Sequence, residues 1–312
     1  MPADLRMVAA TATAPLAWGT TYVVTTELLP ADSPLWSGVL RALPAGLLAV
    51  AMGRRLPRGR WWWRAGVLGT LNIGAFFALL FVSAYRLPGG VAATLGATGP
   101  LVTAGYALLL LGEPPTRWRL AWGGVGVLGV ALMVLGPDAG LDAVGVLSGL
   151  AGVVAMSAGV VLTRRWGRPV AAVPFAGWQL TAGGLFLVPV AVLVERAPPA
   201  LDASAAAGFA WLSLAGTLAA YTLWFRGIGR LPVVSVSFLG LLSPTVATAL
   251  GWLLLGQGLT TLQAAGFVVA LAAVVAGQVA PGRARPRRAG LARPVPRRGA
   301  GVMPAGGGTG SC

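Results

Sequence analysis

The sequence contains no histidine and no lysine, a single cysteine at its last position, and eight acidic residues in 312. With no imidazole and with Cys312 as the sole thiol, imidazole-based metal sites and disulfides within the chain are excluded, and nothing calls for a cofactor. The acidic residues fall between or beside apolar runs, none near a predicted membrane midplane. An intramembrane enzyme would therefore lack its ordinary acids, bases and metal ligands. A proton-driven cation exporter would be expected to hold a membrane carboxylate, so the same absence favours a facilitator or exchanger, or coupling through a site not visible in the sequence, and weakens quaternary-cation efflux.

What is abundant is apolar. The chain is 56% hydrophobic, 10% charged and has a mean hydropathy of +0.79, more than a water-soluble domain sustains without large exposed apolar patches. Runs of roughly 17 to 25 apolar residues, long enough for about 30 Å of hydrocarbon, recur between short Arg-, Pro- or Gly-containing interruptions. They predict an all-α polytopic membrane protein of about ten transmembrane helices. The expected spans are Leu5–Leu28, Pro34–Met52, Ala65–Tyr85, Val91–Leu111, Leu120–Leu135, Val144–Thr163, Ala171–Val194, Gly208–Phe225, Val233–Leu255 and Thr261–Val279. The first run lacks a small-residue cleavage site and reads as a retained helix. From Pro281 the composition turns to Pro, Arg and Gly, which predicts a disordered basic tail over 281–312.

The net charge of +15 comes from arginine alone. Its placement between apolar runs and in the tail reads as membrane orientation, with the lipid bilayer as partner and no nucleic acid. Arg54, Arg55, Arg58, Arg60 and Arg64 follow the second span, whereas Glu27 and Asp32 follow the first. Alternating from there puts Arg117, Arg119, Arg164, Arg165, Arg168, Arg226, Arg230 and the tail on the cytoplasmic side. Asp138, Asp142, Glu195 and Asp202 fall outside, as do the two exceptions, Arg86 and Arg196. Both termini are expected in the cytoplasm of a bacterial-type inner membrane. Trp61, Trp62 and Trp63 read as headgroup-level anchors at the start of the third span.

An internal repeat divides the chain. Leu95–Glu113 (LGATGPLVTAGYALLLLGE) lies without a gap over Leu239–Gln257 (LGLLSPTVATALGWLLLGQ), at the 144-residue offset that carries Pro100 onto Pro244. Arg86, Leu87 and Pro88 match Arg230, Leu231 and Pro232 at the same offset. A slightly smaller one, carrying Gly46 onto Gly184, places Arg41 over Gln179. Residues 1–136 and 137–280 thus read as two five-helix repeats. An odd number of spans forces opposite orientations, and inverted repeats are an architecture of alternating-access transporters with a midplane site between the halves. A channel or a small-ligand membrane receptor is the alternative.

Several of these segments carry a family pattern. The first span has LAWGTTYVV (Leu16–Val24), similar to a Trp-Gly-Ser/Thr opening. The second has Arg41 followed by Ala and Leu. The fourth has Pro100 and a Leu-Gly-Glu ending at Glu113, repeated in the ninth as Pro244 with LLLGQ. Over Leu5–Val279 the chain resembles the EamA-type ten-helix exporters of the drug/metabolite transporter superfamily. It departs at Gln257, where many members are acidic. The resemblance implies export of a small metabolite, amino acid or drug-like solute.

The candidate substrate-binding residues are Trp18, Tyr22, Arg41, Asn72, Gly96, Pro100, Gln179, Tyr221, Trp224, Gly240 and Pro244. Pro100 and Pro244 are expected to break matched helices and free the carbonyls of Gly96 and Gly240 for a substrate, or else to shape packing alone. Arg41 lies roughly 10 Å inside its span, and either clamps a substrate carboxylate or phosphate or snorkels to Glu27 or Asp32. Asn72 and Gln179 need interior partners, while Trp18, Tyr22, Tyr221 and Trp224 suit an amphipathic solute. Gly124, Gly126 and Gly129 match a nucleotide-binding pattern in the wrong context and read as close helix packing. Gly145 and Gly149 form a G-x-x-x-G that permits close approach within the chain or in a homodimer.

Overall fold

A computed structural model describes residues 2–31, 33–87, 95–134, 142–255 and 260–278. Asp32, Pro88, Asp138, Gly256, Gln257 and the whole basic tail with Cys312 lie outside the described residues. Among those described, every regular element is helical, and they form ten spans. These are α1 (Pro2–Gly19 and Thr21–Leu28), α2 (Pro34–Gly53), α3 (Trp61–Arg86), α4 (Gly99–Leu111), α5 (Arg117–Val134), α6 (Ala143–Trp166), α7 (Ala172–Glu195), α8 (Ala203–Ile228), α9 (Val233–Leu239 and Leu242–Leu255) and α10 (Thr261–Gln278). Seven of them are by themselves long and apolar enough to cross a membrane.

Four spans are less regular than apolar runs suggest. The expected continuous first helix is interrupted at Thr20, whose hydroxyl and amide both donate to the Ala17 carbonyl. Just before it, Gly19 lies so close to α9 that a Cβ would fall 2.5 Å from Cβ of Val246. α3 starts at Trp61, ahead of the expected Ala65, and contains a π-helical turn at Thr70–Gly74. α8 contains another at Leu214–Ala219, beginning at the same 144-residue offset. π-turns shift the register of side chains and frequently mark functional positions.

The fourth irregularity corrects the expected proline kinks. Chain turns precede α4 at Ala97–Thr98 and divide α9 at Gly240–Leu241. Pro100 and Pro244 then sit in the opening turns of fresh helical segments. A missing N–H there removes no hydrogen bond the helix needs. Nor is the Gly240 carbonyl freed, because the chain tightens and it accepts from the Ser243 amide at 3.0 Å.

The repeats pack as an exchanged pair within one unit, Met1–Ala280. The boundary near 136 therefore divides the sequence repeat rather than two separate bodies. α2 packs along α7 and α5 along α10; α3 packs on α6 as α8 packs on α1; α4 packs on α6 as α9 packs on α1. At the α2/α7 crossing, a Cβ on Gly46 would run into the Thr181 amide, and one on Gly184 would stand 2.9 Å from Cβ of Leu43. These are one contact seen from each half, since the offset that carries Gly46 to Gly184 carries Leu43 to Thr181. The absent side chains let the backbones meet.

Gly126 and Gly129 do the same for α5 against Ala273 and Ala270 of α10. The G-x-x-x-G of α6 is likewise used within the chain, where Gly145 meets Arg86 and Leu87 and Gly149 meets Ser83 and Leu95.

Helix ends are tied to one another, both across the repeats and within the second. The carboxylate of Glu195, at the end of α7, accepts from the Leu35 and Trp36 amides at 2.7 and 2.9 Å, capping α2. Arg164 donates to the Ile228 and Gly229 carbonyls at the end of α8. Arg86, one exception to the charge bias, is paired with Asp142 at 3.5 Å. Burial, with the Arg230 and Arg226 charges, holds the Arg168 guanidinium below its ordinary pKa. Trp61 packs inward on Phe175 and Trp178, while Trp62 and Trp63 remain exposed.

Candidate functional site

A cavity of about 160 Å³ lies within the bundle, walled by α1, α2, α3, α4, α6, α8 and α9. Eight of the eleven sequence-derived candidates line it: Trp18, Tyr22, Arg41, Gly96, Tyr221, Trp224, Gly240 and Pro244. The two glycines matched by the repeat both open onto it. Among the described residues, a Cβ on Gly96 would meet nothing within 4 Å, and one on Gly240 only the Ser237 carbonyl at 3.0 Å. Both stand beside chain turns, ahead of α4 and within α9, and the Gly240 carbonyl is taken up by Ser243 rather than left free.

Arg41 is the one charged residue of the lining among the described residues. It is 1% exposed and is held by the opposite repeat. Its Nε donates to Thr217 Oγ1 at 2.9 Å and its Nη2 to the Gly216 carbonyl at 3.1 Å, both in the π-turn of α8. The Trp18 indole N–H donates to the same carbonyl at 2.9 Å. A π-turn leaves carbonyls poorly matched by helix amides, which suits one that receives two side-chain donors. The guanidinium also stands 4.7 Å above the Phe77 ring, worth roughly 0.5–2 kcal/mol. Among the described residues no carboxylate pairs with Arg41. The expected snorkelling to Glu27 does not occur, since Glu27 is exposed and the guanidinium is directed to α8 instead.

Asn72 and Gln179 do not line the cavity. Both are fully buried behind it, and Asn72 Nδ2 donates to Gln179 Oε1 at 2.7 Å and to Thr163 Oγ1 at 3.3 Å. This is the Arg41 arrangement repeated. Gln179 on α7 corresponds to Arg41 on α2, and Asn72 in the π-turn of α3 corresponds to Gly216 in that of α8. Each half sends a polar residue from its second helix into the π-turn of the other half's third helix. One version ends in a charge beside a cavity; in its twin the two amides are joined to each other away from it, with Asn72 Oδ1 and Gln179 Nε2 left unpaired. Between them Phe77 and Tyr221, also matched at 144 residues, touch each other at 5.9 Å. Pro100, the remaining candidate, is buried in the first turn of α4 and does not line the cavity.

The aromatic candidates form one cluster, with Trp18 5.1 Å from Tyr221 and 4.9 Å from Trp224 between ring centroids. Four cavity-lining residues carry a buried polar atom without a hydrogen-bond partner: Arg41 Nη1, Trp224 Nε1, Thr21 Oγ1 and Ser83 Oγ. Each such group costs about 1–3 kcal/mol unpaired. Sequence reading missed Thr21, Ser83, Thr103, Ser157, Ser237 and Ser243 in the wall. Hydroxyls on apolar helices are commonly spent on the carbonyl a turn back, as Ser237 is on Val233, so no single one stands out.

Comparison with known proteins sets this geometry in a family. The profile of the EamA-like transporter family matches the chain twice, over residues 5–135 and 143–276. Protein PecM of Dickeya dadantii is 43% identical over 84% of this chain and 89% of its own. The uncharacterized inner membrane transporter YedA of Escherichia coli K12 is 28% identical over 83% and 86%. A probable terminal-alkyne amino-acid exporter of Streptantibioticus cattleyicolor is 26% identical over 77% and 79%. A solved crystal structure, 19% identical, shares the fold with a TM-score of 0.74 over 87% of this chain and 98% of that one.

Proposed function

The chain belongs to the EamA-like transporter family, and from that premise we propose that it exports a small solute by alternating access around the Arg41 cavity. Family membership makes it a multi-pass membrane transporter rather than an enzyme. The observation that carries the mechanism is the crossed pair of contacts, Arg41 to the π-turn of α8 and Gln179 to that of α3. Two halves built alike and holding each other through equivalent contacts have two equivalent ways to pack, one opening the cavity to each side. Among the described residues no carboxylate lies in the cavity wall, which favours a facilitator or exchanger over proton-driven cation export. A relative named as an amino-acid exporter supports outward transport, and the arginine bias orients both termini to the cytoplasm.

The test uses purified protein in proteoliposomes, with amino acids, organic anions and amines as probes. Flux of at least one probe should saturate with concentration, as channel flux would not. Gly96→Leu and Gly240→Leu should each lower that flux more than about tenfold in folded protein, because both side chains enter the cavity. Gly105→Leu should leave it near wild type, since Gly105 is exposed on α4 with open space around it. Gly126 is no such control, because a Cβ there would stand 2.9 Å from Cδ1 of Leu241. Full flux in either folded cavity variant would refute the reading, and binding without flux would make the chain a receptor.

A further inference from the structure

We infer that the cavity recognises an organic anion with a flat apolar body, its anionic oxygens taken by Arg41 and its body by the Trp18, Tyr221 and Trp224 cluster. The inference rests on the transport reading of the same cavity and adds the chemistry of the solute. Three observations carry it. Among the described residues the charge of the lining is wholly positive, since Arg41 is the one ionic residue there.

The unpaired groups are also one-sided. Arg41 Nη1 and Trp224 Nε1 have no hydrogen-bond partner, and guanidinium and indole nitrogens donate without accepting. Thr21 Oγ1 and Ser83 Oγ, likewise unpaired, can donate as well. A solute that completes these groups must bring acceptors. An ammonium brings only donors, and it would meet the buried guanidinium as a like charge.

The third observation is the asymmetry between the halves. At the twin position the polar residue is Gln179, neutral and joined to Asn72. The architecture therefore accommodates an uncharged residue here, and the charge on the cavity side is not required by the repeat. The anchoring of Arg41 points the same way. With Nε and Nη2 fixed on Thr217 and Gly216, the third nitrogen is held in place for a ligand. An anion on Nη1 would bear through the guanidinium on the π-turn of the opposite repeat, so that occupancy is felt by both halves.

The rings beside it are tilted against one another, Trp18 against Tyr221 at 50° and against Trp224 at 62°. They present faces and edges suited to an aromatic or flat apolar group.

Calorimetry on the full chain in nanodiscs tests this with three ligands of one shape: 3-phenylpropionate, 3-phenylpropionamide and 3-phenylpropylamine. The carboxylate should bind at least about tenfold more tightly than either of the others, the margin of one charge-assisted hydrogen bond. Arg41→Gln should bring the carboxylate down to the level of the amide, and Arg41→Lys should retain part of the preference. If neither variant folds, the comparison of the three ligands on the wild-type protein decides alone.

Equal or tighter binding of the amine, or no carboxylate binding at millimolar concentration, would overturn the inference. Gly96→Leu separates the two readings. Amine binding abolished by Gly96→Leu would leave the cavity as the site and sink only the anion. Carboxylate binding unaffected by Gly96→Leu would sink the cavity itself, and the inference with it.

Discussion

Arg41 is a full charge within a membrane-spanning bundle, where an unpaired ion is costly. It is tolerated because two of its nitrogens meet oxygens of α8 and its face meets Phe77. Its twin shows how much of that arrangement is structural. Asn72 and Gln179 are joined by one hydrogen bond away from the cavity, so they hold α3 to α7 rather than bind a solute. Asn72→Leu or Gln179→Met alone should cost about 1–3 kcal/mol by stranding the partner. The double variant should cost less than the sum of the two. Thermal unfolding in detergent with a double-mutant cycle measures this, and strict additivity would mean that the pair contributes nothing. Arg41, Trp18, Tyr221 and Trp224 were legible in the sequence because charge and indole are conspicuous in lipid. Asn72 and Gln179 were misplaced, because composition shows that an amide needs a partner without showing which side of a helix supplies it.

At the scale of elements, the positions of the spans follow from apolar length and their ends shift by a few residues. The interruptions are different in kind. Prolines at 100 and 244 announced irregular backbone, and both segments are irregular, yet each ring opens a helix where a kink was expected. The π-turns at Thr70–Gly74 and Leu214–Ala219 left no sequence sign, since π-turns arise from packing rather than from a residue type. Glycines say more once paired. Gly46→Val and Gly184→Val should both strongly reduce the yield of folded protein, because each drives a side chain into the facing backbone or Cβ of the other repeat. Gly66→Val, with no atom near its Cβ, should cost no more than the roughly 1 kcal/mol range of helix propensity. Size-exclusion yield against that control checks it, and a monodisperse, full-yield Gly46→Val protein would contradict the α2/α7 crossing described above.

For the whole molecule, the repeat in the sequence and the exchanged packing in the structure describe one object. α2 lies on α7, α5 on α10, and each half's third helix on the other's first. The two repeats were readable from the matched motifs, whereas short connections suggested packing of sequence neighbours and the exchanged pairs were not foreseen. Also not readable is the difference between the halves, a charge beside a cavity on one side and a joined amide pair on the other, because it depends on two π-turns and on side-chain direction. In the proposed mechanism that difference would give the pathway its chemistry, and the likeness would give it two packings. The most direct test of the two packings is accessibility at Gly96, where added bulk meets open space. A Gly96→Cys chain would be treated with a membrane-impermeant maleimide in right-side-out and in inverted vesicles, with each thiol followed by peptide mass. Cys312, at the end of the basic tail, serves as the marker of sidedness. Alternating access predicts labelling at position 96 from both faces and at Cys312 from the cytoplasmic face alone. Labelling at position 96 from one face only, in vesicles that transport at the normal rate, would contradict it.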